Sequence, residues 1–159
     1  MKRILTLTIA IIMSLCVFVG CDSDSANSSS NVDLSKVLSD INENGELSSM
    51  KVISNTADLQ KQFDVNPDDV SEYIAEVSED GDFPTTVVVT KAAEDDKVSS
   101  IEDKLNSYLA DKLSNAQSYN KDQVSTIEDC QVKTNGLYTM LVIAENHTDL
   151  EKIIENYFK

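Results

Sequence analysis

The fold is decided by residues 130–145, which read Cys-Gln-Val-Lys-Thr-Asn-Gly-Leu-Tyr-Thr-Met-Leu-Val-Ile-Ala-Glu. Two runs rich in apolar and β-branched residues, 130–134 and 137–145, flank the pair Asn135-Gly136. This pair is preferred in a two-residue type I′ turn, whose central residues both need a positive φ. The stretch therefore predicts a β-hairpin.

Segments with helical periodicity lie on either side of this hairpin. Apolar residues recur every three or four positions from about Asp95 to Gln117, which predicts one long helix with a single apolar stripe. A brief helix is compatible with residues 122–127. After the hairpin, residues 148–151 (Thr-Asp-Leu-Glu) have the pattern of a capping box, and an apolar face continues to Phe158.

A second pair of strands precedes the long helix. Residues 70–78 fit a strand or a helix by propensity, and we predict a strand because the turn-rich acidic stretch 79–82 follows. Thr85 to Lys91 contains three consecutive valines and predicts the next strand. A strand-strand-helix unit therefore occurs twice along the chain.

Two short helices precede these units. Asp33 is expected to cap the first, which stops at Gly45, and Thr56 is expected to cap the second, which ends near Pro67. We predict an α+β fold, a two-layer sandwich. The two hairpins form one four-stranded antiparallel sheet, and the two amphipathic helices cover one of its faces.

The last predicted strand has two apolar faces. One carries Tyr138, Met140 and Val142, and the other carries Leu137, Leu141 and Ile143. A strand of this kind indicates that the second face of the sheet is also covered, either by the N-terminal helices or by a partner.

The N-terminal segment predicts export and lipid anchoring. Residues 2–3 are basic and residues 4–19 are almost wholly apolar. The run is shorter than the roughly 20 apolar residues of a spanning helix and fits a signal peptide. Phe-Val-Gly-Cys at 18–21 resembles a bacterial lipobox, although Phe18 stands where such boxes usually carry Leu. We expect cleavage before Cys21, a diacylglycerol on its thiol, and a lipid-anchored position on the extracytoplasmic face of the cell membrane. An uncleaved anchor and a plain secretory signal are the alternatives.

The sequence divides into three parts. Residues 1–20 form the predicted signal peptide, residues 21–31 the lipid-attachment cysteine and a Ser-rich tether, and residues 32–159 a single globular domain. The net charge of −15 becomes −17 when the two basic residues of the signal peptide are removed. Such an acidic surface argues against nucleic acid as a partner and keeps the domain away from anionic headgroups.

Two blocks of the domain are similar to a known family. The first is residues 59–70 (Leu-Gln-Lys-Gln-Phe-Asp-Val-Asn-Pro-Asp-Asp-Val) followed by Tyr73. The second is Tyr119 with residues 131–138 (Gln-Val-Lys-Thr-Asn-Gly-Leu-Tyr). They resemble domain of unknown function 4358, an uncharacterised lipoprotein family of clostridia-like Gram-positive bacteria. The resemblance spans about residues 33–159. It implies the same domain boundary and the same lipid-anchored, extracytoplasmic position. It implies no chemistry, because the family has no assigned activity.

No combination of residues predicts an enzyme active site. His147 is the single histidine and lies at the entry of the last helix, where we expect it to be exposed rather than catalytic. Cys130 has no intramolecular disulfide partner, since Cys16 leaves with the signal peptide and Cys21 takes the lipid. We expect Cys130 to be a buried thiol, with a redox role or an intermolecular disulfide as the alternative.

Three acidic clusters, at 68–69, 79–82 and 94–96, lack the ligand spacing of a calcium loop. Aligning Gly81 with the invariant glycine of such a loop puts Val87 where the bidentate Glu belongs. Aspartate is also favoured at turns and helix N-termini for structural reasons. The sequence predicts neither a metal site nor a cofactor.

Four aromatic residues are candidates for an interaction patch: Tyr73, Phe83, Tyr119 and Tyr138. If they share the sheet face that the two helices leave uncovered, they form a surface for a protein or a ligand. We therefore expect a non-enzymatic binding or accessory module for an envelope protein or a small ligand. The alternative is a hydrolase that acts on cell-envelope glycans with a pair of carboxylates.

Overall fold

The computed structural model describes residues 31–47, 49–79 and 83–159. The predicted signal peptide, Cys21 and the tether up to residue 30 lie outside these ranges, as does most of the acidic stretch 79–82. Among the described residues, no helix is both long enough and apolar enough to cross a membrane.

The centre of the fold is one antiparallel sheet of five strands in the order β1-β2-β3-β5-β4. The strands are β1 (Met50–Val52), β2 (Val70–Ser78), β3 (Thr86–Ala92), β4 (Val132–Asn135) and β5 (Tyr138–Ile143). β2 and β3 form one hairpin and β4 and β5 form the other. The hairpins join where β3 pairs with β5, with Val88 opposite Leu141. The α+β class and the antiparallel pairing of the two hairpins are confirmed.

The sheet has five strands where the sequence predicted four. The additional strand, β1, lies at an edge and pairs with β2, so that Val52 is opposite Glu76. Three residues are too few to show an alternation of apolar and polar side chains, so the pattern does not distinguish them from a loop. The next residue, Ile53, is buried and donates its backbone N–H to the Ala75 carbonyl oxygen at 2.8 Å, which holds the strand against β2.

Within the described residues, five α-helices pack around the sheet: α1 (Leu34–Asn44), α2 (Thr56–Phe63), α3 (Val98–Tyr119), α4 (Val124–Asp129) and α5 (His147–Glu155). α1 is capped as predicted, because the Asp33 carboxylate accepts hydrogen bonds from two backbone N–H groups of the first turn. α2 is capped by Asn55 rather than Thr56, since the Asn55 side chain accepts the N–H of Asp58 at 2.9 Å.

Helices cover both faces of the sheet, so the described fold has three layers rather than the predicted two. α2, α3 and α4 pack on one face over Val88 and Leu141, and α1 and α5 pack on the other over Val87 and Met140. The two helices that were expected to share a face, α3 and α5, therefore lie on opposite faces. All six residues of β5 are buried. The sequence predicted that either the N-terminal helices or a partner would cover the second face of the sheet, and the N-terminal helix α1 helps to cover it.

The turn of the second hairpin lies one residue later than predicted. Asn135 pairs with Tyr138, so the two-residue loop consists of Gly136 and Leu137. Of this pair only Gly136 has a positive φ, at 57°. A type I′ turn needs a positive φ at both central residues, whereas a type II′ turn needs it at the first alone. The predicted hairpin is confirmed, and the predicted type I′ turn is wrong.

Gly45 ends α1 and allows α1 to approach α5 closely. A Cβ atom at this position would collide with the Ile41 carbonyl oxygen and lie 2.5 Å from Cδ2 of Leu150 on α5. The Gly45 carbonyl oxygen accepts a hydrogen bond from Asn146 Nδ2 at 2.8 Å. Its φ is −86°, so the position requires glycine for space and not for a left-handed backbone.

Gly45→Ala is expected to lower the free energy of unfolding by about 2–3 kcal/mol, because both the α1 backbone and Leu150 must move to admit the methyl group. The exposed neighbour Asn44→Ala is the control and should change the free energy by less than about 0.5 kcal/mol. Denaturant titration measures both variants. Equal stability of the two would contradict the close approach of α1 and α5.

Candidate functional site: a polar cleft at one end of the sheet

A cleft of about 700 Å³ lies between the sheet and α3. Its walls come from β1, β2 and β3, from α2, from the second half of α3 and from the turn before α4. Of the fourteen described residues that line it, eleven carry a polar or charged side chain, and the apolar ones are Val77, Pro84 and Ala116. We call it the polar cleft. Its volume is within the range of small-ligand sites in proteins.

One wall of the polar cleft is a face of α3. Tyr108, Lys112 and Asn115 follow one another at intervals of four and three residues, so their side chains lie on one side of the helix. Tyr108 belongs to the apolar stripe that the periodicity of residues 95–117 predicts for this helix. In the structure its ring is half-buried and packs on the core, while its hydroxyl group takes part in the polar wall.

A chain of hydrogen bonds fixes the Tyr108 ring against the sheet. The buried Thr86 hydroxyl donates to the Pro84 carbonyl oxygen at 3.2 Å, so the Tyr108 hydroxyl donates to Thr86 Oγ1 at 3.1 Å. Gln62 Nε2 donates to the same Tyr108 oxygen at 3.3 Å. The ring also packs on Phe63, with 4.8 Å between ring centroids. These contacts hold Tyr108 in one orientation, which preorganises this wall of the cleft.

The charge of the polar cleft is opposite in sign to that of the protein. Of its described lining residues, Lys51 and Lys112 are cationic and Glu79 is the single carboxylate. Neither lysine forms an ion pair with a carboxylate of the described chain, whereas five other lysines do. Lys112 is half-buried, and its Nζ lies 4.8 Å from the centroid of the Tyr108 ring in a cation–π contact.

A second pocket, of about 510 Å³, lies between the segment that leads into α1 and β2. Its described lining contains two carboxylates, Asp33 and Glu72. Asp33 is occupied with capping α1 and also pairs with Lys36 at 3.7 Å. A glycosidase needs two carboxyl groups that are both available to the substrate. This pocket offers one, and it is not a candidate for such a pair.

The four aromatic residues of the expected interaction patch do not form one surface. Tyr138 is buried on the face covered by α1 and α5, where its ring lies 5.0 Å from that of Phe158. Tyr73 and Phe83 are half-buried on the opposite face, and Tyr119 is 83% exposed at the end of α3. The predicted patch is wrong because helices cover both faces and separate Tyr138 from Tyr73 and Phe83.

His147 and Cys130 lie outside the lining of the polar cleft. His147 is the first residue of α5 and is half-buried rather than exposed, with its Nδ1 3.2 Å from the Ala144 carbonyl oxygen. Cys130 is buried, as predicted, and its thiol donates to the Thr126 carbonyl oxygen at 3.2 Å. Burial raises the pKa of the Cys130 thiol, which disfavours the reactive thiolate.

The acidic clusters at 68–69 and 94–96, which the structure describes in full, have roles within the fold. Asp69 is nearly buried and accepts a hydrogen bond from Ser100 Oγ at 3.2 Å, and residues 95–96 stand in a 3-10 turn that leads into α3. Within 31–47, 49–79 and 83–159, no group of three or more His, Cys, Asp or Glu residues is placed to hold a metal ion. The cluster at 79–82 is described only at Glu79.

An ion-pair cluster that the sequence did not predict joins β4 to α5. Lys133 Nζ donates to Glu151 Oε2 at 2.7 Å and to Glu155 Oε1 at 2.9 Å. These hydrogen bonds raise the pKa of Lys133 above the usual lysine value. The predicted capping box is wrong, because Glu151 binds Lys133 and α5 begins at His147 without a side-chain capping bond.

Lys133→Met is expected to lower the free energy of unfolding by about 1–3 kcal/mol, because Glu151 then keeps a nearly buried charge without its cation. Lys152→Met is the matched control. It removes an exposed ion pair with Asp149 on the same helix, 2.9 Å long, and should cost less than about 0.5 kcal/mol. Denaturant titration at neutral pH compares the two variants, and equal losses would contradict the role of the cluster.

The same cluster gives a pH dependence with a defined sign. Folding raises the pKa of Lys133, so its contribution to stability is complete below the unfolded value of 10.5 and is lost as pH rises through the higher folded value. Between neutral and alkaline pH, the free energy of unfolding should therefore fall more for the wild type than for Lys133→Met. Denaturant titration at both pH values measures this difference.

The described fold and cleft can be compared with known proteins. A family model with the description Domain of unknown function (DUF4358) matches residues 43–144. The chain belongs to this family. The match runs from the end of α1 to just beyond β5 and includes every described lining residue of the polar cleft, while α5 follows it. The family resemblance found in the sequence is thereby confirmed. No curated protein and no solved structure matches the chain.

The sequence did not predict the polar cleft. Its described residues are scattered between positions 51 and 123 and come from five helices and strands, from the β2–β3 connection and from the turn before α4. One signal was present on α3, where Lys112 and Asn115 continue the side of the helix that Tyr108 occupies. A purely structural stripe continues with apolar residues at these intervals.

Proposed function

We propose that this chain is a membrane-anchored, extracytoplasmic bacterial lipoprotein whose domain binds a small polar ligand in the polar cleft and does not act as an enzyme. The observation that carries the proposal is the cleft of about 700 Å³, lined mostly by polar side chains and held open by hydrogen-bonded residues of the sheet and α3. Small ligands bind in concave sites of this volume, where placed polar groups fix their orientation.

A small ligand is favoured over a protein docked on the sheet. Helices cover both faces of the sheet, and the exposed large hydrophobic residues of the described chain are Val52 and Tyr119. The centre of a stable protein interface needs a contiguous apolar patch. An envelope protein is the alternative partner.

The anchor rests on the sequence around Cys21. Two acyl chains on a single cysteine suffice for stable attachment to a bilayer. The described fold begins directly after the ten-residue Ser-rich segment 22–31. The Ser-rich composition of this segment predicts a root-mean-square reach of roughly 16–19 Å, so we expect the domain to lie close to the membrane without inserting into it.

The alternative of a carboxylate-based hydrolase has less support. Cleavage of a glycosidic bond needs an acid and a second carboxylate on opposite sides of the bond. Among the described residues that line the polar cleft, Glu79 has no second carboxylate beside it. The lining instead offers hydroxyl, amide and ammonium groups, which can form hydrogen bonds with a polar ligand.

The proposed lipid anchor is tested by measuring the mass of the protein extracted from membranes. We expect the wild type to begin at Cys21 and to carry the mass of a diacylglycerol, because the thiol of this residue is the acyl acceptor. Cys21→Ser should be neither lipidated nor retained in the membrane. The matched control Cys16→Ser removes a thiol from the signal peptide and should behave as the wild type. Unlipidated wild-type protein would disprove the anchor.

The binding role is tested by blocking the polar cleft without touching the core. Asn115→Trp places a large side chain in the cleft, whereas Ser114→Trp places the same side chain one exposed position earlier on α3. The full chain in detergent is screened by thermal unfolding against small polar compounds that include neutral, cationic and anionic members. A ligand at about 100 times its Kd should raise the Tm of the wild type and Ser114→Trp by several degrees.

Asn115→Trp should show no such rise. Ligands that stabilise Asn115→Trp as strongly as the wild type would place the binding site elsewhere. A screen without any ligand that Asn115→Trp blocks would overturn the binding role of the cleft.

A further inference from the structure

The described residues that line the polar cleft include two lysines and one carboxylate, whereas the whole chain has a net charge of −15. We propose, resting on the function proposed above, that its ligand is a small hydroxylated anion, a sugar carrying a carboxylate or a phosphate group. Lys51 and Lys112 recognise the anionic group, and the amide and hydroxyl side chains of the cleft recognise the sugar hydroxyls.

The two lysines are available to a ligand. Five of the eleven lysines in the described chain form an ion pair with a carboxylate, and Lys51 and Lys112 are among the six that do not. What distinguishes these two is their position, because both line the polar cleft. Both lysines are therefore without a carboxylate partner in the described chain and can attract an anion into the cleft that they line.

Lys112 is held in place for this task. Its Nζ lies over the Tyr108 ring at 4.8 Å from the centroid, and that ring is fixed by the hydrogen bonds to Thr86 and Gln62. A cation over an aromatic face loses less freedom when it binds an anion than a lysine that moves freely in water. The cleft therefore presents one ordered positive charge beside its hydroxyl and amide groups.

The rest of the lining matches hydroxyl groups better than apolar surface. The side chains of Gln62, Asn115 and Asn120 each offer a donor and an acceptor, as a sugar hydroxyl requires. Ser78 and Thr85 add hydroxyl groups. Three small or medium apolar side chains cannot bury an apolar ligand of the size that the cleft admits.

Lysine does not choose between carboxylate and phosphate. Bidentate recognition of either group is a property of arginine, and the sole arginine of this chain is Arg3 in the predicted signal peptide. A lysine ammonium group acts as a point charge. The structure therefore assigns the shared chemistry, an anion on a hydroxylated ring, and experiment distinguishes the two sources.

Isothermal titration of the full chain in detergent tests this with five probes: D-glucuronate, glucose 6-phosphate, D-glucose, D-glucosamine and inorganic phosphate. We expect one or both of the sugar anions to bind at least about 10-fold more tightly than glucose, glucosamine or inorganic phosphate, since only they use both halves of the cleft. The tighter of the two identifies the carboxylate or the phosphate source.

Titration of lysine variants tests which positive charges bind the sugar anion. Lys112→Gln should weaken binding of the sugar anion at least about 10-fold and Lys112→Arg should largely restore it, because the charge and its contact with Tyr108 return. Lys51→Gln should weaken it in the same direction. Lys61→Gln is the matched control: Lys61 is exposed, unpaired within the described chain and outside the cleft lining, so its loss should leave the affinity unchanged.

Each outcome has a separate meaning. Glucose that binds as tightly as glucuronate, or a loss with Lys61→Gln equal to that with Lys112→Gln, overturns the anion selectivity. Inorganic phosphate that binds as tightly as the sugar anions overturns the role of the hydroxyl groups. If no sugar anion binds while other compounds of the screen bind and are blocked by Asn115→Trp, the inference is wrong and the proposed binding function stands.

Discussion

The pairing of β3 with β5 is the contact on which the rest of the structure depends, because it joins two hairpins that are distant in sequence into one sheet. Val88 of the first hairpin lies opposite Leu141 of the second. Nearly every residue of both strands is buried. Strands that are apolar on both faces need cover on both sides. This requirement places α3 on one face and α1 with α5 on the other.

The position of the polar cleft follows from the length of α3. This helix has 22 residues and is therefore about 33 Å long, which exceeds the length of the strands it covers. Its first half packs on the core through Ile101 and Leu105. Its second half reaches the end of the sheet where β2 finishes and β3 begins, and there Tyr108, Lys112 and Asn115 face polar residues. The cleft lies beside the second half of α3, on the side of Tyr108, Lys112 and Asn115, while Ala116 of the same half is buried in the core.

The elements with a long and regular pattern could be predicted from the sequence. The stripe of α3, the apolar face of α5 and the runs of β3 and β5 each repeat often enough to identify the element. β1 could not be found, since three residues contain no period. The number of layers was also missed. Periodicity shows which face of a helix is apolar but does not show which face of the sheet it will cover.

The capping-box motif led to a wrong prediction because a residue distant in sequence forms a stronger hydrogen bond with Glu151. Thr148 and Glu151 have the spacing of a capping box, and a helix in isolation would use it. The fold brings Lys133 of β4 within 2.7 Å of Glu151, and a charge-assisted hydrogen bond to a nearly buried carboxylate is stronger than a cap to a neutral N–H. The polar cleft escapes prediction for the same reason, since its lining is assembled only when the sheet and α3 meet.

The contrast between net charge and cleft charge gives the proposed selectivity a physical basis. At physiological ionic strength the Debye length is about 8 Å, so carboxylates on distant parts of the surface are largely screened from the cleft. The potential that a small ligand meets is then set by the lining, whose described residues include two lysines and one carboxylate, Glu79. A polyanion is different, because it extends over many acidic residues of a chain with a net charge of −15. On the proposed function, we therefore expect the acidic surface to disfavour a polyanion and the cleft to admit an anion small enough to enter it, so that size and charge together would select the ligand.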